Sequence, residues 1–426
     1  MKDALSSSVE ERKKRGEINR AFVIARYGIE KMTSDALGVY RSLLEQEKTD
    51  PDRRVLISGY YGFGNMGDES LCTAILSDLR ACDPSLCVTV ISGDPKKTAR
   101  DRKVNAIRRL DLPALFSEEK KGGLLLSGGG SLLTDASSLR SLAYYAFVIR
   151  TAKAAGMKTM LYANGVGPFR TRRAKKIART AIESADLVTL RDPDSLKEIA
   201  DMGVDPSEEK FIVTSDPAFG LSPSDGERMR FLAARDGIDL EKRFFVVSPR
   251  PWKGTGENFA DEIADFCRKL AGKTGALPIF LPMQPSSDTR LCEKIAARCG
   301  GKILSPPCVS DALFLLGRAD LVVGMRLHAL IYAAAAGAPL IGLSYDPKVD
   351  AVLRYAGFPS DHVLPVVGLL ADELFGKAEA LLQESGSEKS FSTARGEEMR
   401  RKAAQSASLA FALAGWGTDG KKDEKS

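Results

Sequence analysis

The sequence predicts an α/β protein of two αβα domains, each with a parallel β-sheet between layers of helices. Short apolar runs alternate with helical stretches along most of the chain, and nearly every run ends in a polar or glycine-bearing loop. The chain has 426 residues, of which 44% are hydrophobic, and this is enough for two domains that each have a core. Because open parallel sheets bind ligands at their carboxyl edges, we expect the two loop-bearing edges to face one cleft.

The first domain is predicted to span residues 53–222. Six apolar runs in it are typical of buried strands. These runs are residues 55–60, 88–92, 124–127, 158–163, 187–190 and 211–213. A segment rich in Ser, Pro and Gly at residues 221–226 marks the domain boundary.

The second domain is predicted to span residues 223–416. Helical patterns over residues 372–382 and 397–414 close it. Its predicted strands are residues 244–248, 277–281, 321–323 and 340–343. The polar residues 417–426 are predicted to form a disordered tail.

Residues 1–52 are predicted to form a charged N-terminal helical extension. A basic amphipathic helix lying on anionic lipid is one interpretation. A helix packed on the body, or a loose extension, is the other, and we favour it because glycines 28 and 38 and interspersed acids weaken the apolar stripe. The sequence has no apolar signal core and no apolar run of about 20 residues. We therefore expect a cytoplasmic protein, with peripheral contact to the inner face of the membrane left open.

The net charge and the cysteine content indicate which ligands and which cellular compartment to expect. A net charge of +6 gives no reason to expect nucleic acid, but it suits an anionic substrate or an anionic membrane surface. The seven cysteines are odd in number and form no Cys-x-x-Cys pair, which argues against a disulfide framework or a zinc site and favours a reducing compartment.

The strongest catalytic candidates are Arg326 and His328. They lie between an apolar run, residues 321–323, and an alanine-rich helical segment, residues 329–336. The chain has only two histidines, and histidine is the side chain best suited to proton transfer near neutral pH. The other interpretation is structural: the two side chains lie at a helix start and only form hydrogen bonds with backbone groups.

Three arginines, Arg191, Arg250 and Arg326, each follow a predicted strand by one to three residues. Guanidinium groups bind carboxylate and phosphate through two parallel hydrogen bonds, so their convergence predicts a small ligand carrying both groups. A surface ion pair, as in Arg191 with Asp192, is the alternative for any single arginine. Trp252 is placed to stack on a sugar ring or simply to pack.

Two glycine-rich loops follow strands. Gly128, Gly129 and Gly130 are predicted to open a helix and to let backbone N–H groups approach an anion, or to form a tight turn. Residues 62–67 match the dinucleotide pattern G-x-G-x-x-G. Asp68 and Glu69 argue against that ligand, because carboxylates at a helix start repel a pyrophosphate.

Several short segments, taken in order, resemble the polysaccharide pyruvyl transferase family, and most of all its CsaB-type cell-wall members. The resemblance runs from about residue 55 to residue 352. Its carriers are residues 59–69, 127–133, 165–168, 191–192, 215–217, 249–252 and 324–328.

This resemblance implies two Rossmann-like domains arranged as in GT-B glycosyltransferases. It implies a phosphoenolpyruvate donor, with no metal and no other cofactor, and a pyruvate ketal on a sugar as product. For the CsaB-type members it implies an acceptor like a ManNAc residue, ketalised at its 4- and 6-hydroxyls, on a lipid-linked cell-wall polymer precursor that anchors surface-layer proteins.

The resemblance also implies roles for individual residues. His328 is the general acid/base, and Arg326 with Leu327 holds the donor together with either Arg191 or Arg250, between which the motifs do not decide. The donor site is also expected to include Gly128, Gly129 and Gly130, and the acceptor site to include Asn65, Asp68, Glu69 and Trp252. Capping of the helix by Asp68 is the alternative for that residue.

Three other functions stay open at this point. The first is a nucleotide-sugar glycosyltransferase of the same architecture, and the second is a dinucleotide-dependent oxidoreductase using residues 62–67. The third is a polymer-binding protein without catalytic activity. The oligomeric state is likewise open.

Overall fold

The structure is a computed structural model that describes residues 49–136 and 138–417, with scattered positions between residues 8 and 37. Most of the predicted N-terminal extension and the tail from residue 418 onward lie outside the described residues. The predictions of a peripheral helix and of a disordered tail concern those parts of the chain.

The first sheet has seven described strands, all parallel, in the order β3-β2-β1-β4-β5-β6-β7. The strands are β1 (Asp50–Ser58), β2 (Leu86–Ser92), β3 (Asn105–Arg108), β4 (Leu124–Leu133), β5 (Lys158–Val166), β6 (Leu187–Leu190) and β7 (Phe211–Val213).

The second sheet has six described strands, also all parallel, in the order β10-β9-β8-β11-β12-β13. The strands are β8 (Phe244–Ser248), β9 (Leu277–Phe280), β10 (Lys302–Ile303), β11 (Val322–Gly324), β12 (Leu340–Ser344) and β13 (Val363–Pro365). The predicted α/β architecture of two parallel sheets is confirmed.

Helices connect successive strands, as parallel sheets require. In the first half of the chain they are α1 (Met66–Cys82), α2 (Pro95–Arg102), α3 (Leu112–Lys120), α4 (Leu139–Ala154), α5 (Arg172–Ser184) and α6 (Pro193–Ala200). In the second half they are α7 (Glu227–Arg235), α8 (Phe259–Thr274), α9 (Pro285–Cys299), α10 (Val309–Arg318), α11 (Leu327–Ala335), α12 (Pro347–Tyr355), α13 (Ala371–Gln383) and α14 (Ser385–Ala414). Two 3₁₀ helices cover Pro217–Gly220 and Ser360–His362.

Many of these helices begin where a short polar side chain caps the first turn. Asp94, Asp111 and Asp192 each accept a hydrogen bond from a backbone N–H three residues later. Such a cap stabilises a helix by about 0.5–2 kcal/mol relative to alanine. A proline follows each of these caps within the first two helical positions, where its missing N–H costs nothing.

Each sheet is buried on both faces. Successive residues of a strand point to opposite sides, so they belong to different cores. In β1, Val55 and Ile57 join the core that continues into the second domain, whereas Leu56 joins the core on the other face. Full burial of each such side chain contributes roughly 1.5–3 kcal/mol. The long apolar runs of the central strands follow from this two-sided burial.

The long helix α14 contacts both domains. It packs on α11 of the second domain and on α1, β5 and the 3₁₀ helix Pro217–Gly220 of the first. Ser406 Oγ lies 3.0 Å from Thr214 Oγ1, and Arg400 Nε donates to the carbonyl of Phe219 at 3.3 Å. The sequence-based boundaries placed this helix in the second domain alone, whereas its contacts make it a shared element.

Candidate active site between the two sheets

A cleft of about 200 Å³ lies where the carboxyl ends of the two sheets face each other. Loops that follow strands of both sheets supply its walls, as expected for open parallel sheets. The residues lining it are Asn65, Gly67, Asp68, Gly130, Ser131, Arg191, Arg250, Met283, Arg326, Leu327, His328, Tyr345 and Lys348.

His328 lies at the start of α11, directly after the loop that follows β11, as the sequence predicts. Its imidazole packs against Gly67 of the first domain, where a Cβ atom would overlap Nδ1. The side chain keeps 17% of its surface exposed, so the ring reaches the cleft from a nearly buried position. Glycine at position 67 is thus required by the close approach of the two domains.

Asp216 faces the same imidazole from the first domain. Its Oδ2 lies 3.9 Å from His328 Nε2, and both atoms are buried without a hydrogen-bond partner in the described part of the chain. Its Oδ1 accepts the backbone N–H of Ala218, which fixes the carboxylate. Burial lowers the pKa of His328 from its ordinary value, although Asp216 opposes the shift. The ring is therefore neutral at neutral pH and ready to accept a proton.

Arg326 is the N-cap residue of α11 and is anchored by a fully buried carboxylate. Its Nε and Nη2 donate to the two oxygens of Asp288 at 3.0 and 2.5 Å, and Nη2 also donates to Ser287 Oγ at 3.0 Å. The fork fixes the guanidinium group, whose Nη1 makes no hydrogen bond within the described residues. Arg326 thus reaches the cleft as a positioned cation.

The structure brings both Arg191 and Arg250 to the cleft. Arg191 is 4% exposed, with Nε bound to Asp192 at 3.1 Å and Nη2 donating to Ser131 Oγ at 3.1 Å. Arg250 donates to the hydroxyl of Tyr345 at 2.6 Å. The Arg191–Asp192 pair exists, but it is buried beside the cleft and is not a surface pair.

Lys348 is a cleft residue that the sequence reasoning missed. It lies in the first turn of α12, just after β12, and its Nζ lies 3.4 Å from Asp346 Oδ2. The charge of Lys348 acts on both His328 and Asp68. The signal that could have found it is the one used for the arginines, a basic residue a few positions past a strand.

Asn65 and Asp68 line the cleft from the first domain. Asn65 caps α1 by accepting the N–H of Gly67 at 3.1 Å, so the cap is not Asp68. Burial, with Glu69 nearby, raises the pKa of Asp68 to about 7. Asp68 therefore keeps its proton to a higher pH than an ordinary aspartate does.

Glu69 and Trp252 do not line this cleft. Glu69 points to the other side of α1, where it pairs with Arg102 at 2.5 Å and accepts the N–H of Gly62 at 2.7 Å. Trp252 lies 6.0 Å from Tyr345, measured between ring centroids, and covers Gly254. The Gly62 N–H of the loop that resembles a dinucleotide motif is therefore already bonded to Glu69, a carboxylate of the same chain.

The three glycines lie inside β4 and do not open a helix, so that local prediction is wrong. The next described helix begins only at Leu139, after the Ser138 cap. The Gly128 carbonyl accepts the Tyr61 hydroxyl at 2.5 Å. A Cβ atom at Gly129 would lie 2.8 Å from Leu71 of α1. Only the third glycine of the run lines the cleft, and the other two allow α1 to pack closely on the strand.

No group of three or more His, Cys, Asp or Glu residues in the described ranges is placed to hold a metal ion. No described helix combines the length and apolarity needed to cross a membrane.

The fold and the cleft define a two-domain α/β protein with Rossmann-like parallel sheets of the GT-B type. Similar solved structures include a putative UDP-N-acetylglucosamine 2-epimerase from Listeria monocytogenes, with a TM-score of 0.60 and 12% identity over 83% of this chain and 94% of that one. A UDP-GlcNAc 2-epimerase from Neisseria meningitidis bound to UDP-GlcNAc has a TM-score of 0.55 and 11% identity over 84% of this chain and 99% of that one. A glycosyltransferase from Rickettsia africae has a TM-score of 0.52 and 12% identity over 85% and 95%.

At these identities the structural likeness concerns the fold alone. No curated protein sequence matches the chain. The family model for polysaccharide pyruvyl transferase matches residues 65–347, which is more than half of the chain. The chain therefore belongs to the polysaccharide pyruvyl transferase family.

Proposed function

We propose that the chain transfers the pyruvyl group of phosphoenolpyruvate to two hydroxyls of one sugar in a cell-wall polymer precursor. The acceptor is a lipid-linked oligosaccharide with a ManNAc residue, ketalised at the 4- and 6-hydroxyls, and inorganic phosphate is released. The observation that carries the proposal is the convergence of four cationic side chains and one neutral imidazole in a single cleft of a family member.

The cations suit a donor that carries both a phosphate and a carboxylate. Arg191, Arg250, Arg326 and Lys348 reach the cleft from four different loops. Charge-assisted hydrogen bonds to such groups are about twice as strong as neutral ones. Each arginine is held by a neighbouring side chain, so little ordering is needed when the donor binds.

The reaction needs one proton on the methylene carbon and loses one proton from each attacking hydroxyl. Protonation of that carbon makes the adjacent carbon electrophilic, and the first sugar hydroxyl attacks it. The phosphate then leaves with the C–O bond electrons and takes up the second proton equivalent as the second hydroxyl closes the ketal. The cationic cleft stabilises the departing phosphate.

Two groups with displaced pKa values divide the proton transfers in this proposal. The lowered pKa of His328 leaves a neutral ring that accepts the proton of an attacking hydroxyl, with Asp216 stabilising the imidazolium that forms. The pKa of Asp68 at about 7 leaves a carboxylic acid that supplies the proton to the methylene carbon. The sequence alone had assigned both transfers to His328.

The acceptor is proposed to enter from the first domain, past Asn65 and Asp68. The enzyme works at the inner face of the cell membrane in this proposal, because its acceptor is anchored to lipid. Phosphoenolpyruvate is the co-substrate, and the proposal includes no metal and no nucleic acid.

The test is direct turnover of the donor. The full chain is incubated with phosphoenolpyruvate and a panel of lipid-linked disaccharides, and phosphate release and added pyruvate mass are both measured. We expect stoichiometric phosphate and ketal with a ManNAc-containing acceptor, and turnover lower by about 10³-fold with His328→Gln. Release of UDP from UDP-sugars, without phosphoenolpyruvate turnover, would replace the proposal with the GT-B glycosyltransferase that the fold also allows.

A further inference from the structure

The first domain exposes an apolar patch beside the cleft. It consists of Phe63, Leu110, Leu112, Phe116 and Phe147, which we call the rim patch. These side chains are between 37% and 75% exposed. Clustered exposed apolar groups on a folded protein mark a surface that contacts a partner, whereas single ones need no explanation.

The members of the rim patch come from neighbouring elements of the first domain. Phe116 of α3 and Phe147 of α4 meet edge to face with ring centroids 6.2 Å apart, and Leu112 lies one turn before Phe116. Leu110 follows Arg109, whose guanidinium carbon lies 5.8 Å from the centre of the Phe63 ring. The patch thus runs from the middle of α3 and α4 to the loop that carries Asn65.

The patch begins at the mouth of the proposed active site. Phe63 is two residues from Asn65, which lines the cleft, and its ring stacks on Tyr60 with centroids 4.4 Å apart. The guanidinium carbon of Arg109 lies 5.9 Å from the ring centre of Tyr60 and 5.8 Å from that of Phe63, and these contacts link the loop after β3 to the loop after β1. The apolar surface and the cleft therefore share one rigid edge of the first sheet.

Basic side chains surround the rim patch. Arg140 and Arg150 flank Phe147 on the exposed face of α4, seven residues before it and three after it. Lys120 lies four residues after Phe116 on α3. These three cations, and Arg108 at the end of β3, are exposed and form no ion pair with described residues. One exposed carboxylate, Asp111, lies between Leu110 and Leu112 and caps α3, so the border of the patch is mainly basic. An apolar centre with a mainly basic border complements an anionic lipid surface.

A second exposed apolar site does not have basic side chains of this kind around it. Val367 and Leu370 of the second domain are 64% and 57% exposed. The following helix begins with Asp372 and Glu373, so acidic groups flank them. Asp372 is paired with Lys269, but no unpaired cations like those of the rim patch are described beside this second site. The surroundings of the first site are the more basic of the two, so the first site suits an anionic surface better.

We propose that the rim patch inserts among the headgroups of an anionic membrane and so presents the cleft to an acceptor anchored in that membrane. The presentation of an acceptor rests on the proposed function, whereas the lipid binding does not. The aromatic and leucine side chains supply apolar burial, and the surrounding arginines and lysine contact lipid phosphates. Two kinds of contact are needed, because neither alone gives stable anchoring.

Vesicle co-sedimentation tests the binding. The full chain is mixed with vesicles of phosphatidylcholine alone and with vesicles containing phosphatidylglycerol. We expect binding only to the anionic vesicles, and about tenfold or greater loss in the variant Leu110→Ser/Phe116→Ser/Phe147→Ser. Arg140→Glu/Arg150→Glu should lose binding as well while leaving the apolar groups in place.

Val367→Ser/Leu370→Ser is the matched control and should bind as the wild type does. Thermal unfolding of each variant checks that the fold is retained, and the charge variant answers the question if the serine variant does not fold. Wild-type chain that stays off anionic vesicles, or a serine variant that binds them as well as wild type, overturns the proposal. So does a dimer in solution that the serine variant dissociates, because a second copy then covers the patch.

A comparison of turnover with a soluble acceptor and with a vesicle-borne acceptor tests this proposal separately from the proposed function. The serine variant should turn over a short water-soluble acceptor at the wild-type rate and lose turnover of the same sugar on a lipid in vesicles. Unchanged turnover of the vesicle-borne acceptor counts against presentation by the patch. Vesicle binding without any phosphoenolpyruvate turnover would leave the surface assignment standing and remove the proposed function.

Discussion

The two walls of the cleft differ in charge. The second domain contributes the cations Arg250, Arg326 and Lys348 together with His328, whereas the first contributes Asp68 and Asp216. The first domain's one cleft arginine is already paired with its neighbouring aspartate. In the proposed function, the cations of the second domain hold the anionic donor, and the proton transfers use groups of both domains, Asp68 of the first and His328 of the second. Neither wall alone provides an acid, a base and an anion clamp.

The two walls are also joined directly. The Tyr332 hydroxyl donates to the carbonyl of Met66 at 3.0 Å, and the N–H of Met66 donates to the carbonyl of Met283 at 3.2 Å. These bonds fix the start of α1 against the second domain. The distance between Asp216 and His328 is therefore set by contacts between domains, and substitutions on either wall should be felt on the other.

The largest expected effect is loss of the imidazole. His328→Gln should lower turnover by about 10³-fold, because general acid–base catalysis typically contributes 10²–10⁴-fold. The fold should be retained, since Nε2 has no partner within the described residues. Steady-state phosphate release and thermal unfolding measure the two. His362→Gln is the control, because that buried ring lies 3.2 Å from the Leu340 carbonyl, away from the cleft, and should cost stability but not turnover. Equal losses of turnover in both variants would contradict the catalytic role.

The second largest effect is expected when Arg326, the anchored arginine of the second domain, is removed. Arg326→Ala should lower the free energy of unfolding by about 3–5 kcal/mol, because it leaves the fully buried Asp288 without its partner. Urea denaturation measures this change. The double variant with Asp288→Asn should recover much of the stability but not the turnover. A single variant as stable as wild type would show that the pair is not the anchor.

The carboxyl group on the acidic wall should control the alkaline limb of activity. With a pKa of about 7, Asp68 loses its proton as pH rises, so kcat/KM should fall above about pH 7. Asp68→Asn should lower turnover by about 10²-fold and abolish that limb, as measured by a pH–rate profile. The control Glu69→Gln should keep it. An unchanged alkaline limb in Asp68→Asn would remove Asp68 from the proton transfer.

The same pKa has a consequence for stability. The folded-state pKa of Asp68 lies above its ordinary value of 3.8, so the folded state holds a proton that the unfolded chain releases. Stability from this group is therefore complete below about pH 4 and is lost as pH rises through about 7. Asp68→Asn should raise the unfolding temperature more at pH 8 than at pH 5.

The smallest effect should decide between the two remaining arginines. Arg191→Lys and Arg250→Lys each keep the charge but lose the fork, and the one that binds the donor should raise KM for phosphoenolpyruvate by about tenfold. The other should change KM by less than about twofold. Comparison of the two KM values under identical conditions makes the assignment, and equal increases would mean that both arginines hold the donor.

The sequence predicted the central strands and the edge strand β7, but it missed the other three edge strands. The apolar runs of β1, β4 and β5 are visible because these strands are buried on both faces. The strands β3, β10 and β13 were not predicted, since they have four, two and three residues and border only one neighbour each. Such short edge strands carry no periodic signal.

Site residues that directly follow a strand were predictable from the sequence. Site residues on a helix were not, because the sequence does not show in which direction each side chain points. The arginines and His328 were found from their positions after strands. Asp68 and Glu69 are consecutive on α1, so they point about 100° apart around the helix and reach different grooves. Sequence alone does not tell which of the two faces the second domain, and Glu69 lies outside the cleft that Asp68 lines.

The shared helix α14 also limits how the protein can move. At 30 residues it is a rod about 45 Å long that is bonded to the first domain through Ser406 and packed on the second through α11. Separation of the two halves would strip this rod from one of them, whereas a swivel about its axis would not. Substrate entry and product exit should therefore occur by a hinged rotation of small amplitude. Truncation of the chain after residue 384 should weaken the coupling of the two halves, which the hydrogen bonds of Met66 to Tyr332 and Met283 would still join.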